Sequence, residues 1–413
     1  MPNLTRRRLL GAAGGGALGI AAGGGFALGR TTDDEAVAAT TFPFYGERQA
    51  GITTPSQDRL AFGALDLTLT SAADLRDLLR TWTTAAERMT RGVPAGDPGN
   101  EPLAPPEDTG EALDLHAARL TITIGFGPGV FERDGEDRFG LASRRPQALR
   151  ELPALPGEDL EAERSGGDLC VQACADDPQV AFHAVRNLTR LARGAATLRW
   201  TQLGFGRTSS VTSSQETMRN LQGFKDGTKN LKGDDDDAMR KHVIVGAGEP
   251  QRWMHGGSYM VTRRIRMLIE AWDRTTLDDQ ELTIGRRKLS GSPLTGTKEH
   301  DALDFKARGA DGKPAMPLNA HVRLAAPETN GGVAILRRGY SYTDGIDAAS
   351  GQLDAGLFFI SFQRDPRQFI ELQRRLGATD ALNEYIRHTG SAVFAVPPGA
   401  VRGGYVGDGL LRA

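Results

Sequence analysis

The sequence predicts an α+β protein made by duplicating one unit of strand, helix, strand, strand, helix, strand, with helices on one face of an antiparallel sheet. Three observations predict it. A strand-like run, Asp168 to Cys174, leads into Asp177-Pro178, which has the chemistry of a helix N-cap with proline at the first helical position. The same order returns near the C-terminus, where Gly356 to Gln363 leads into Asp365-Pro366 and a helix with Phe369, Leu372 and Leu376 inward. Between the two copies, Thr208 to Gln222 is rich in Ser and Thr and marks a boundary, giving domains over 59–215 and 216–413.

The 413 residues suffice for two or three domains, and a charged fraction of 25% is ordinary for a soluble globular chain. Fifty basic against 52 acidic residues give a net charge of -2, which removes any electrostatic case for a nucleic-acid partner. Ahead of the duplicated unit, Thr5-Arg6-Arg7-Arg8-Leu9-Leu10 precedes a Gly- and Ala-rich run to about Gly29. This has the pattern of a twin-arginine signal peptide over residues 1–38, with Ala36-Val37-Ala38 as a small-residue cleavage site. The run is too rich in glycine for a spanning helix of ~20 apolar residues, so no membrane span is expected once the signal is removed. Twin-arginine export carries folded proteins, which hints at a buried cofactor and an extracellular or cell-envelope destination. Residues 39–58, rich in Pro, Gly and Thr, should form an extended arm.

In the first unit, Arg59 to Leu69 reads as a strand and Ser71 opens a helix to Met89, with Leu75, Leu78, Leu79 and Trp82 on one face. Val93 to Thr109 is loop, and Ala118 to Phe126 is a second strand. Asp168 to Cys174 is a third strand, its helix runs to about Arg193, and Ala196 to Phe205 closes the unit. In the third strand Cys170 and Cys174 would stand about 13 Å apart, beyond disulfide reach, so both read as small buried apolar side chains. In the second unit, Gly257 to Trp272 changes from strand to helix, and Ser391 to Val396 is the closing strand. Gly285 to Asn319 is an irregular stretch punctuated by Gly and Pro, a length that usually signals function or a wrapped ligand.

The chemistry concentrates in two places. Asn319 to Tyr342 holds His321 in an alternating run that reads as a strand, then a loop over 327–332, then Arg337 and Arg338. One imidazole and two arginines are costly to desolvate without an anionic or metal partner. Gly223-Phe224-Lys225-Asp226-Gly227 sets a carboxylate between glycines, a turn that lets backbone approach a flat ligand closely, although composition alone fits a surface Asp-Gly turn as well. Asp234 to Asp237 reads as a solvated loop, with a hard-cation site as its alternative. His388 reads as a helix-end cap, and His116, His183, His242, His255 and His300 as surface or packing residues.

Taken together, Gly223 to Gly227, the His321 run and the Leu336-Arg337-Arg338-Gly339-Tyr340-Ser341-Tyr342 stretch resemble the dye-decolourising peroxidase family. The likeness extends over nearly the whole mature chain, through Pro43 to Gly46, Gln49 to Ile52, Trp253 to Trp272 and Asp380 to Tyr385. It points to the exported subgroup that includes the deferrochelatase/peroxidases. The resemblance implies duplicated ferredoxin-like domains and one haem b per chain, bound in the second domain. His321 would be the proximal iron ligand, and Asp380 the carboxylate that orients it. Asp226 and Arg338 would be catalytic on the distal face, one moving a proton and the other stabilising charge. Gly227, Thr228, Lys229, Ala326, Pro327 and Glu328 match haem-contacting segments, and Arg337 and Arg264 would serve structure or a propionate.

The implied activity is H2O2-dependent oxidation of dyes, phenols and other reductants through a ferryl intermediate. The alternatives are a deferrochelatase that releases iron from haem during iron uptake and a non-catalytic haem-binding or maturation protein; a homodimer is the candidate assembly. Trp253, Tyr340, Tyr342 and Tyr385 are candidates to carry electrons to the surface, against the plainer reading that they pack.

Overall fold

The computed structural model describes residues 41–99 and 101–412, so the expected signal peptide lies outside the described residues. Among the described residues no helix is long and apolar enough to cross a membrane.

The first half runs β1 (Arg59–Leu67), α1 (Ala72–Thr90), β2 (Thr121–Phe126), β3 (Leu169–Ala175), α2 (Pro178–Leu191) and β4 (Ala196–Arg207). Local chemistry sets the helix starts. Ser71 Oγ accepts from the backbone N–H of Ala73 and Asp74, and Asp177 accepts from Gln179 and Val180, with Pro178 at the position where a missing N–H costs nothing. Both cysteines are free and buried in β3, all of whose residues are buried.

The second half runs α3 (Asp236–His242), β5 (Ser258–Met267), a helical turn at Ile269–Trp272, α4 (Leu277–Ile284), α5 (His321–Ala325), β6 (Leu336–Arg337), β7 (Tyr340–Ile346), β8 (Leu353–Gln363), α6 (Pro366–Thr379) and β9 (Ile386–Val396). Asp365 and Gln368 cap α6 reciprocally, the side chain of each accepting from the other's end of the first turn.

Three expectations change here. His321 opens a five-residue helix instead of lying in a strand. Its alternation is too short to fix a period, and Leu324 N donates to Ala320 O in a helical turn. His388 lies in β9, buried, not at a helix end. The acidic run is no plain loop: Asp235 caps α3, Asp236 and Asp237 lie in its first turn, and Asp234 accepts from Ser213. No group of three metal-ligating side chains occurs among the described residues.

The strands form one sheet in the order β5-β9-β2-β3-β1-β4-β7-β8-β6, and β5 also pairs with β8. Every named pairing is antiparallel. The β5–β8 pairing closes eight of the strands into a ring, the two halves meeting at Phe126 opposite Ala395 and at Phe205 opposite Ser341. Strand alternation then gives two faces. Leu60, Phe62, Cys170, Trp200, Met260, Tyr340, Phe358 and Phe394 share one apolar cluster inside the ring, where Phe62 stacks on Trp200 at 5.1 Å. The opposite face packs under α1 and α2 in the first half. In the second half it meets α5, α6 and the irregular chain 285–319, and there the packing leaves a cavity.

Candidate functional site

The cavity, of about 250 Å³, lies between the outer face of β5, β8 and β9 and the helices α5 and α6. Ile265, Leu357, Phe359, Leu372 and Leu376 give it apolar walls. Polar groups enter from opposite sides.

On the helix side, His321 Nδ1 lies 2.6 Å from Asp380 Oδ2. Asp380 terminates α6 and is nearly inaccessible, while about a third of the His321 side chain (32%) is exposed. Burial disfavours the imidazolium, but the charge and hydrogen bond of Asp380 outweigh it and raise the His321 pKa above its usual value. With Nδ1 donating to the carboxylate, Nε2 keeps its lone pair. This is the tautomer and orientation that suit a metal ligand oriented by a carboxylate, here Asp380.

On the sheet side, Asp226 Oδ1 accepts from Arg337 Nη1 at 2.6 Å, and Asp226 Oδ2 lies 3.4 Å from Asn220 Nδ2. The loop holding Asp226 is built by glycine. Gly227 has φ +92°, and a Cβ there would come within 3.0 Å of Ser209 Cα, so backbone packs on backbone beside the carboxylate.

Gly227, Thr228, Lys229, Ala326, Pro327, Glu328 and Asp380 all line the cavity, together with His321 and Asp226. Arg338 does not. It is fully buried and donates to the carbonyls of Thr54 and Pro55 and to Gln57 Oε1, which ties the N-terminal arm across the ring. Arg337, the other arginine of the pair, lines the cavity. Consecutive residues of an extended chain point to opposite faces, and the register of Arg337 with Ser361 puts its side chain on the face shared with Phe359. Of the pair, the arginine that faces the cavity is therefore Arg337 and not, as expected, Arg338. Arg264 also faces away, paired with Asp344 and Asp354 and lying over the Tyr342 ring at 4.2 Å.

Sequence reasoning gave no site role to Arg263 or His388, both of which line the cavity. Arg263 donates to Glu158 at 2.5 Å and to Ser391 at 2.8 Å. His388 is brought to the cavity by an irregularity in the β5–β9 register, and burial with Arg263 nearby pushes its pKa down to about 3, so the ring is neutral. Alternation along β5 carried the signal for Arg263, since Ile265 and Met267 share its face. None of the aromatic candidates lines the cavity, although Tyr385 packs edge-on against Trp272 at 4.9 Å, and Trp272 against the cavity-lining Phe224 at 5.9 Å.

The residues present fit a haem. They supply one imidazole nitrogen held for coordination, apolar walls for a macrocycle, and arginine and lysine side chains for its carboxylates.

Comparison with known proteins identifies relatives of the whole chain. The family descriptions "Dyp-type peroxidase, N-terminal" and "Dyp-type peroxidase, C-terminal" match residues 49–206 and 217–401. The deferrochelatase of Escherichia coli (strain K12) is 38% identical over 377 residues, covering 90% of this chain and 87% of that protein. Ferric DtpA from Streptomyces lividans is 42% identical with a TM-score of 0.82, covering 91% of this chain and 99% of that one. A DyP-type peroxidase from Cellulomonas bogoriensis is 41% identical with a TM-score of 0.79, covering 90% and 98%.

Proposed function

This chain belongs to the Dyp-type peroxidase family and is a haem peroxidase, and from that premise we propose that it binds one haem b per chain in the cavity of the second half, uses H2O2 and oxidises dyes and phenols. We read the repeated strand order of the two halves as two ferredoxin-like domains joined edge to edge. The observation that carries the functional reading is the pair of carboxylate contacts on opposite cavity walls, Asp380 on His321 and Asp226 on Arg337.

The haem would supply the iron at which peroxide binds and the redox equivalents for oxidation. His321 would hold it through Nε2, with Asp380 sharing the Nδ1 proton and making the ring more basic. On the other wall Asp226 takes the proton from one peroxide oxygen and returns it to the other. Arg337 fixes the direction of that carboxylate and presents positive charge to the departing oxygen. Arg263 and Lys229 are cations available to the carboxylates of the macrocycle.

The test is a stopped-flow spectrum with peroxide. His321→Ala should lose the normal haem absorbance, while Asp226→Ala and Arg337→Ala should keep it and react slower by roughly 10²-fold. Normal haem in His321→Ala would sink the ligand assignment, and wild-type rates in both sheet-side variants would sink the proton-transfer scheme. The name of the Escherichia coli relative favours a second reading, release of iron from haem. Recovery of intact metal-free porphyrin after incubation with haem would support it, and recovery of haem alone would exclude it. Export rests on the Arg6-Arg7-Arg8 signal and is tested by fractionation, and a homodimer by light scattering.

A further inference from the structure

The irregular chain 285–319 meets the loop that carries Asp226 at two places: Arg219 donates to the Lys288 and Leu289 carbonyls at 2.6 and 2.8 Å, and the Glu299 side chain reaches the residues flanking Asp226. Glu299 Oε1 accepts from Thr228 Oγ1 at 3.1 Å, and its Oε2 accepts from Lys225 Nζ. One carboxylate thus grips the residue just before Asp226 and the residue two after it. The Glu299 side chain is only 13% exposed. Burial pushes its pKa up, but the hydrogen bonds from Lys225, Thr217 and Thr228 pull harder and hold it below the usual range, so the grip stays ionised.

The grip is itself anchored. Arg286, buried, donates to the Glu299 carbonyl at 2.9 Å and to the Gly291 carbonyl at 2.7 Å. Gly291 leaves room for the stem of Lys225, because a Cβ there would fall 2.7 Å from Lys225 Cδ. His300 is a further titratable neighbour, 3.8 Å from Glu299, and Lys232 and Arg286 also feel its charge. Asp226 has few other restraints: its N–H donates to Met218 O, and its carboxylate is held by Arg337 and, more loosely, by Asn220.

We propose that Glu299 is a positioning residue for the peroxide reaction, holding Lys225 and Thr228 so that the carboxylate of Asp226 keeps its direction toward Arg337 and the cavity. The proposal rests on the reading of Asp226 as the proton carrier. It also gives the long irregular segment a task, which is to brace one loop from outside the sheet.

The experiment uses the haem-loaded enzyme and the variants Glu299→Ala, Glu299→Gln, Lys225→Met and Asp226→Asn. Three readouts are taken: the resting haem spectrum, the stopped-flow rate with peroxide, and hydrogen exchange over residues 217–230. Glu299→Ala should keep the resting spectrum, slow the peroxide reaction roughly tenfold and speed exchange in that loop while β5, β8 and β9 stay protected. Glu299→Gln, which can still accept from Thr228, should recover part of both effects, and Lys225→Met should match it. A wild-type peroxide rate in Glu299→Ala, or a slowed rate with unchanged loop exchange, overturns the proposal. Should Glu299→Ala fail to fold, wild-type rates and exchange in both Glu299→Gln and Lys225→Met overturn it equally. A wild-type rate in Asp226→Asn overturns the parent reading instead, and the loop exchange then decides the Glu299 grip alone.

Discussion

The two halves share a strand order and differ in what covers the outer face of the sheet. In the first half, the chain between β1 and β2 supplies α1, which lies with α2 on Leu65, Ile122, Val171 and their neighbours in a closed apolar cluster. In the second half, the chain after β5 supplies only short helices and the irregular stretch to Asn319, and the same face carries Arg263, Arg337 and His388 beside its apolar residues. A full helix seals a sheet. Replacing it by short pieces leaves a cavity whose floor can hold polar groups because a ligand, not a neighbouring helix, completes the packing.

The comparison breaks first at Trp82. It is fully buried where α1 meets α2, and its Nε1 donates to Leu188 O at 2.9 Å. Trp82→Ala should cost about 3–5 kcal/mol and leave the haem spectrum per folded molecule unchanged. Phe359→Ala, on the cavity wall, should cost about half as much in the haem-free protein because one side of that ring already faces open volume. Equal losses in denaturant unfolding would refute the contrast between a sealed and an open face.

The paired arginines sharpen it next. Arg338→Ala strands the Thr54 and Pro55 carbonyls and Gln57, so it should cost about 2–3 kcal/mol and loosen the arm. Arg337→Ala removes a partly exposed side chain and should cost less than about 1 kcal/mol while slowing the peroxide reaction. The opposite ranking in thermal melts would restore Arg338 to the cavity.

These two residues also show what the sequence could and could not tell. The strand-then-Asp-Pro repeats and the buried cysteines were legible because each depends on a few consecutive residues, whereas Asp226 and His321, both of which line the cavity, stood out only through the family resemblance of the stretches that hold them. Arg337 and Arg338 were not separable, since alternation assigns them to opposite faces without saying which face is the cavity; only the closed ring decides that. His321 was misread as extended because five residues cannot distinguish a period of two from one of 3.6. Glu299 was invisible, because its partners Lys225 and Thr228 lie more than seventy residues away and meet it only through the fold.

A smaller effect concerns pH. Asp108 is buried; desolvation pushes its pKa up, but the hydrogen bond from His183, backbone N–H groups of Gly110 and Ala95 and the charge of His183 hold it below the ordinary value. A depressed carboxylate stabilises the fold above its unfolded pKa of about 3.9 and loses that contribution as pH falls through the folded value. The first half should therefore weaken on acidification below about pH 4, and Asp108→Asn should flatten that part of the profile. An unchanged acid limb in the variant would remove Asp108 from the account.

The smallest predicted effect tests where the halves remain alike. Asp177 and Asp365 cap α2 and α6 after a strand, each followed by proline. Replacing either by alanine should cost about 1 kcal/mol, the usual value of a side-chain cap. Asp365→Ala should run slightly above Asp177→Ala, since it also removes one side of the reciprocal bond with Gln368, whose amide donates to the His242 and Ala334 carbonyls. A cost at Asp177 clearly above that at Asp365 would mean that the second copy of the motif no longer bears the same load, and that the divergence of the halves extends beyond the cavity to the helix both retain.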